Sequence, residues 1–248
     1  MAGAFWRGHS GVGILAWAFW RCGHEFDWQA IRPVECALPY LMDTVSSLRM
    51  RDEILAYKRE RILEEAVKLF YARGFNGTTL DDIAAELGVT KPFIYTHFRS
   101  KTDLLAALCR PTIEMSLAAV QQGASLPGTA TERLSHAITA FTKVVLQRQA
   151  NIAIYFREEK NLSAKALEDI NGLRRQFDQV LSRLLEQGVA TGEFAVPDIR
   201  LAALAIGGMI SWAYTWHRES GRLSVDEVGA EMARLTLNMV GATKPSHA

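Results

Sequence analysis

From about Arg51 onward, apolar residues recur near helical spacing among charged ones, and the strict apolar-polar alternation of a half-buried strand is absent. Ile54, Leu55, Ile62, Ala66, Leu69 and Phe70 mark one face of a first helix over roughly 52–73. Gly74 follows, where glycine can take the left-handed conformation of a helix C-cap. Thr79 opens a second helix: its hydroxyl can accept from a free backbone N–H, and Asp82, three residues on, can reach back in a capping box. Ile83, Ala84 and Leu87 form its inward face, and Gly88 ends it. Thr90 is expected to cap a third helix over about 91–98, with Pro92 in the first turn, where a missing N–H removes no helical bond. Further helices are expected over 101–122, from Thr131 to about Gln149, over 151–159, from Ser163 to Gly188, from Asp198 to about Ser220, and from Ser224 to Val240. The fold class predicted is all-α.

The second and third of these helices are separated only by Gly88-Val89-Thr90. Two short helices joined by a three-residue turn containing glycine form a helix-turn-helix, whose second helix enters the major groove of DNA. The local charge agrees. Between Gly88 and Lys101 the chain carries Lys91, Arg99, Lys101 and His97 and no acid, although residues 51–110 nearly balance at ten Lys and Arg against nine Asp and Glu. Positive charge is thus concentrated where phosphates would lie. Ser100, with Asp103 three residues on, caps the fourth helix beside Lys101.

The run from Gly74 to Lys101 resembles the N-terminal DNA-binding domain of the TetR family of bacterial repressors. Gly74, Thr78, Thr79, Ile83, Ala84, Gly88, Val89, Thr90, Tyr95, Phe98, Ser100 and Lys101 fall on its patterned positions. The resemblance covers some fifty residues. It implies an N-terminal three-helix DNA-binding domain with a helix-turn-helix, followed by a C-terminal helical ligand-binding and dimerisation domain. The expected division is an N-terminal extension at 1–50, poorly ordered or outside the native product, a DNA-binding domain at 51–100, a ligand domain at 101–241 and a tail at 242–248. The implied function is a ligand-responsive repressor that binds a pseudo-palindromic double-stranded DNA operator as a homodimer and is released by a small-molecule effector. Thr79, Thr90, Tyr95, His97 and Lys101 match positions that hold phosphates, whereas Lys91, Pro92 and Phe93 match the exposed tip that approaches base edges. Pro92 departs from the glycine often found there. Ile94 and Phe98 read as core.

The eighth helical pattern, LAALAIGGMISWAYTWHRE, holds Ala202, Ala205, Gly207, Gly208 and Ala213. Small residues permit close helix approach, and with Leu235, Leu237 and Met239 they suit a self-complementary four-helix interface between two copies. Ordinary monomer core is the alternative reading. Phe141, Tyr155, Phe156, Phe177, Met209, Trp212, Tyr214 and Trp216 are candidates to line a ligand cavity. Arg174 and Arg175 interrupt a long apolar pattern. One of them facing inward can hold a carboxylate or phosphate in bidentate fashion, while the ordinary reading places both on the solvated outer face. The C-terminal half loosely resembles TetR-type regulators of acyl-CoA and lipid catabolism, which implies an acyl-CoA thioester as effector.

Composition narrows the alternatives. A net charge of +1 over 248 residues gives no general attraction to nucleic acid or membrane. Three cysteines, Cys22, Cys36 and Cys109, suit a reducing compartment, and Cys22, His24 and Cys36 match no zinc spacing. No apolar run reaches the length of a membrane span, and the segment at 11–20 lacks a cleavage site close behind it, so a cytoplasmic protein with no membrane partner is expected. The first fifty residues hold four of six tryptophans without sustained periodicity; Met42 and Met50 are plausible starts. The H-E-x-x-H, G-x-S-x-G, phosphate-loop and E-x-x-H patterns are all missing, so neither enzymatic activity nor a cofactor is expected. A helical adaptor that binds only protein is the remaining alternative; it has no need of the acid-free capped helix.

Overall fold

The computed structural model describes residues 38–242, with side chains from Met50 onward. Among the described residues there are nine α-helices and no strand: α1 Leu38–Arg73, α2 Leu80–Leu87, α3 Lys91–Tyr95, α4 Lys101–Ser125, α5 Ala130–Gln147, α6 Gln149–Glu158, α7 Ala164–Ala190, α8 Ile199–Ser211 and α9 Val225–Met239. Short 3-10 turns follow α6 at Glu159–Asn161 and α8 at Trp212–Thr215. The chain divides into units of Met1–Ile54 and Leu55–Ala248. The described part of the first is helical; the second carries the features that follow. The readings placed on 1–37, including Cys22, His24, Cys36 and the segment at 11–20, lie outside the described residues.

Helix α1 starts at Leu38, well before the expected 52, and Ile54 and Leu55 do not join its buried face. They share a face with Ile62, Ala66, Leu69 and Phe70, but no described element covers those early turns, and burial begins at Ile62. The capping logic holds at α2, where Thr79 and Asp82 form the full box, and at α4, where Ser100 accepts from the Asp103 N–H. It fails at α3: Thr90 occupies the N-cap, yet its hydroxyl makes no capping bond. Two boxes went unread in the sequence, Thr129 with Glu132 before α5 and Ser224 with Glu227 before α9.

Two hydrophobic cores form. One joins α1–α4 with Ile154 and Tyr155 of α6, with Leu162 just after the 3-10 turn and with Ile170 of α7; the other joins Leu117 and Val120 of α4 with α5, α7, α8 and α9. Helices α4 and α7 therefore feed both cores, and packing runs continuously across the boundary expected at residue 100. Helices α4 and α5 meet at Gly123, where an added Cβ would stand 2.4 Å from the Ala137 Cα, so no larger residue fits that approach. Helix α8 ends at Ser211 rather than near Ser220, tightening into the 3-10 turn over Trp212–Thr215. The chain is then held at His217, whose carbonyl accepts from Gln149 Nε2 at 3.3 Å. Ala213, expected at an interface between copies, is fully buried in the monomer core.

Candidate DNA-binding face and ligand cavity

The helix-turn-helix is braced from both sides. Gly88 takes a left-handed φ of 65° that lets α2 stop and the chain turn into α3. Ile94 and Phe98 are buried and lock α3 onto α1 and α2, as their spacing suggested. Arg59 of α1 adds a brace absent from the sequence reading: its Nη1 donates to the His97 carbonyl at 2.8 Å, and its guanidinium lies 4.1 Å from the Phe98 ring centroid. Lys101 is a second brace. Its Nζ donates to the carbonyls of Phe75 at 2.8 Å and Thr78 at 3.0 Å, over the Phe75 ring, which occupies two of its three donors. The turn between α1 and α2 thus already holds the Lys101 ammonium and leaves it one donor.

What remains outward is Lys91, Pro92, Tyr95 and Thr96, with Thr79 and Thr90 at the helix starts. Lys91 Nζ lies 2.6 Å from Asp81 Oδ2, and this bond raises its pKa. The Thr79 hydroxyl and N–H both donate to Asp82 Oδ2, each at 2.7 Å, so both donors are engaged, whereas the exposed Thr90 hydroxyl is free of any cap bond. Phe93 departs from its expected place on the tip: it is half-buried, packed on the core, edge-on to His97 at 5.2 Å and beneath Lys58. Burial, helped by Lys58 and Arg59, lowers the pKa of His97, so its imidazole is neutral at neutral pH and offers a hydrogen bond rather than a charge.

A cavity of about 300 Å³, open to solvent beside the exposed Leu204 and Trp212, lies against the second core. Phe141, Tyr155, Phe156, Phe177 and Trp212 wall it, with Ile113, Ile152 and Leu204; Gly207 and Gly208 leave space along α8; Arg174, Asp178, Ser116 and Ser211 supply the polar groups. Phe141 and Phe177 pack with centroids 4.8 Å apart. Five of the eight apolar candidates meet here, while Tyr214 stands behind the wall, packed against the second core and stacked on Phe156 at 5.7 Å. Met209 instead packs into the second core, and Trp216, 49% exposed, lies beyond the tightened end of α8, where helical spacing no longer applies. Both arginines are exposed, but only Arg174 lines the cavity, where it donates to the Tyr155 hydroxyl at 3.2 Å. Asp178, one turn from Arg174, was missed; burial raises its pKa while Arg174 and Arg200 lower it.

Helix α6 ties this cavity to the helix-turn-helix. Tyr155 is a cavity wall and also part of the first core, and three residues on, the buried Glu158 accepts from the Phe75 N–H at 3.2 Å, from Arg157 Nε at 2.9 Å and from Asn161 Nδ2 at 2.9 Å. Arg157 also donates to the Phe70 and Tyr71 carbonyls at the end of α1. Apolar periodicity gave no sign of this hub, because its members are polar; the adjacent Arg157-Glu158 pair in an otherwise apolar stretch was the only signal.

Residues 62–108 match the model for bacterial regulatory proteins of the tetR family, and residues 127–240 match a tetracyclin repressor-like C-terminal domain. A solved transcriptional regulator of the TetR/AcrR family from Thermobifida fusca is 34% identical over 73% of this chain and 96% of its own, with a TM-score of 0.59. The chain belongs to the TetR family. TetR-family members are DNA-binding transcriptional regulators rather than enzymes, and the two matched regions fall on the helix-turn-helix core and on the cavity-bearing helices. The chain is also similar to the transcriptional repressor KstR2 of Mycolicibacterium smegmatis, 27% identical over 73% of this chain and 90% of the relative. The solved ketosteroid transcriptional regulator KstR2 of Mycobacterium tuberculosis is 27% identical over 75% of this chain and 95% of its own, with a TM-score of 0.68. No helix among the described residues is long and apolar enough to cross a membrane.

Proposed function

We propose that this TetR-family chain is a homodimeric repressor that holds a pseudo-palindromic operator and releases it when a largely apolar ligand with an anionic group, an acyl-CoA thioester, fills the cavity. The observation that carries this reading is the aromatic cavity with Arg174 at its wall, joined through Tyr155 and α6 to the end of α1. The similarity to a regulator named for ketosteroids favours an apolar effector. Two copies would meet through a stripe that one chain leaves exposed: Leu201, Leu204, Ala205 and Gly208 on α8, Trp212 in the turn after it, and Leu235 and Met239 on α9. Such a dimer sets its two α3 helices in major grooves about 34 Å apart or a small multiple of that.

Thr90, Tyr95 and His97 would then fix register on phosphates, with Thr79 joining once its hydroxyl turns from Asp82, while Lys91 reads a base after leaving Asp81. Ligand entry acts on two levers. Pro111 removes one helical hydrogen bond inside α4, between the part of that helix in the first core and the part in the second. Ile113 and Ser116, just beyond it, line the cavity. A ligand that displaces them swings α4 at Pro111, and one that displaces Tyr155 shifts α6 and its hold on Phe70 and Phe75. Coupling of this kind is on the order of 1–3 kcal/mol and cannot exceed the difference in ligand affinity between the two conformations. Operator release measured with acyl-CoA thioesters, free acids and neutral apolar compounds tests the reading; release by neutral compounds alone would remove the anion from it.

A further inference from the structure

We propose that the crease between α7 and α8, lined by Arg175, Arg183 and Arg200, is a site for a phosphorylated nucleotide headgroup, that of the same thioester whose acyl end enters the cavity. The inference rests on the acyl-CoA reading above and adds a second half to the site. The cavity of about 300 Å³ is walled mainly by aromatic and aliphatic side chains with Arg174 as its one cation, a lining that suits an acyl chain and its thioester and gives a nucleotide's several phosphates no further guanidinium. The rest of such a ligand must lie outside, and a groove of about 650 Å³ begins where the cavity ends: Asp178 and Leu204 line both.

The groove has the chemistry that the cavity lacks. Arg175 and Arg183 lie on its α7 wall, eight residues and therefore about 12 Å apart along the helix, and Arg200 stands on the α8 wall. Among the described residues none of the three has an ion-pair partner, whereas Arg61, Arg110, Arg157 and Arg234 each hold a carboxylate. Planar guanidiniums left without partners along one groove suit phosphate oxygens, which they grip in bidentate fashion. The two acids of the groove, Asp178 and Glu186, are outnumbered, and Asp178 lies near Arg174 and Arg200.

The test compares one short acyl group presented as its coenzyme A thioester and as its pantetheine thioester, which lacks the nucleotide. Binding of each to the full chain is measured by calorimetry, for the wild type, for Arg183→Glu and for the combined Arg175→Ala, Arg183→Ala, Arg200→Ala variant. The wild type should bind the coenzyme A thioester at least about tenfold more tightly, a preference that weakens with added salt. Both variants should lose most of that preference while binding the pantetheine thioester as the wild type does, which also reports an intact fold. Equal wild-type affinity for the two thioesters, or a preference that survives both variants, overturns the headgroup site and leaves the cavity standing. Failure of either thioester to bind the wild type overturns the acyl-thioester reading and the headgroup site together.

Discussion

Lys91 and Tyr95 stand four residues apart on the outward side of α3, and the reading assigns them different work. Lys91 reaches a base edge, so Lys91→Ala should reorder affinities among operator variants by about tenfold or more at one position, whereas Tyr95→Phe should weaken all variants alike. An unchanged ranking in a gel-shift series for Lys91→Ala would remove its base-reading role. Glu193 shows a different residue-scale effect. Although burial pushes its carboxyl up, donation from the Thr131 and Ala130 N–H groups and from the Thr131 and Thr191 hydroxyls holds it at about 2. A carboxyl held below its ordinary value stabilises the fold above pH 4.5 and loses that contribution as pH falls toward about 2. Glu193→Gln should therefore cost about 1 kcal/mol at neutral pH, a figure kept low because the group is partly exposed, and it should flatten the fall in stability across that acid window. Urea midpoints at neutral pH and in acid check both parts.

At the scale of elements, α6 is the piece on which control turns. Glu158→Gln keeps its size but removes the charge that Arg157 grips and that orders the Phe75 N–H, so ligand binding should persist while its effect on operator affinity shrinks severalfold. Calorimetry on the ligand and gel shift on the operator separate those two quantities; full coupling in Glu158→Gln would clear α6 of the role. This element was poorly legible in the sequence, and the reason is physical. Apolar periodicity reports which face of a helix is buried but not whether that face meets another helix or a void, so Met209 and Trp216 were grouped with true wall residues. Arg174 and Arg175 sit about 100° apart around α7, and only the position of Tyr155 on α6 selects between them. The helix-turn-helix was legible because Gly88, Thr79 with Asp82, and Pro92 each require a particular local backbone. The bond from Lys101 to the α1–α2 turn was not, since it joins residues 26 apart through a long flexible side chain.

At the scale of the molecule, burial among the described side chains of α1, from Met50 onward, begins only at Ile62. A chain starting at Met50 should therefore bind the operator within about threefold of the full chain, and a larger loss would give the first unit a part in DNA binding. The central claim is that filling the cavity, with Arg174 donating to the thioester carbonyl, releases the operator. Its most direct measurement is an operator-release titration with an acyl-CoA thioester on the wild type, Arg174→Ala and Arg175→Ala. The account predicts release from the wild type, a loss of sensitivity of about tenfold or more in Arg174→Ala because a charge-assisted hydrogen bond to the ligand is gone, and only a smaller, salt-dependent loss in Arg175→Ala. Equal sensitivity in wild type and Arg174→Ala would contradict it.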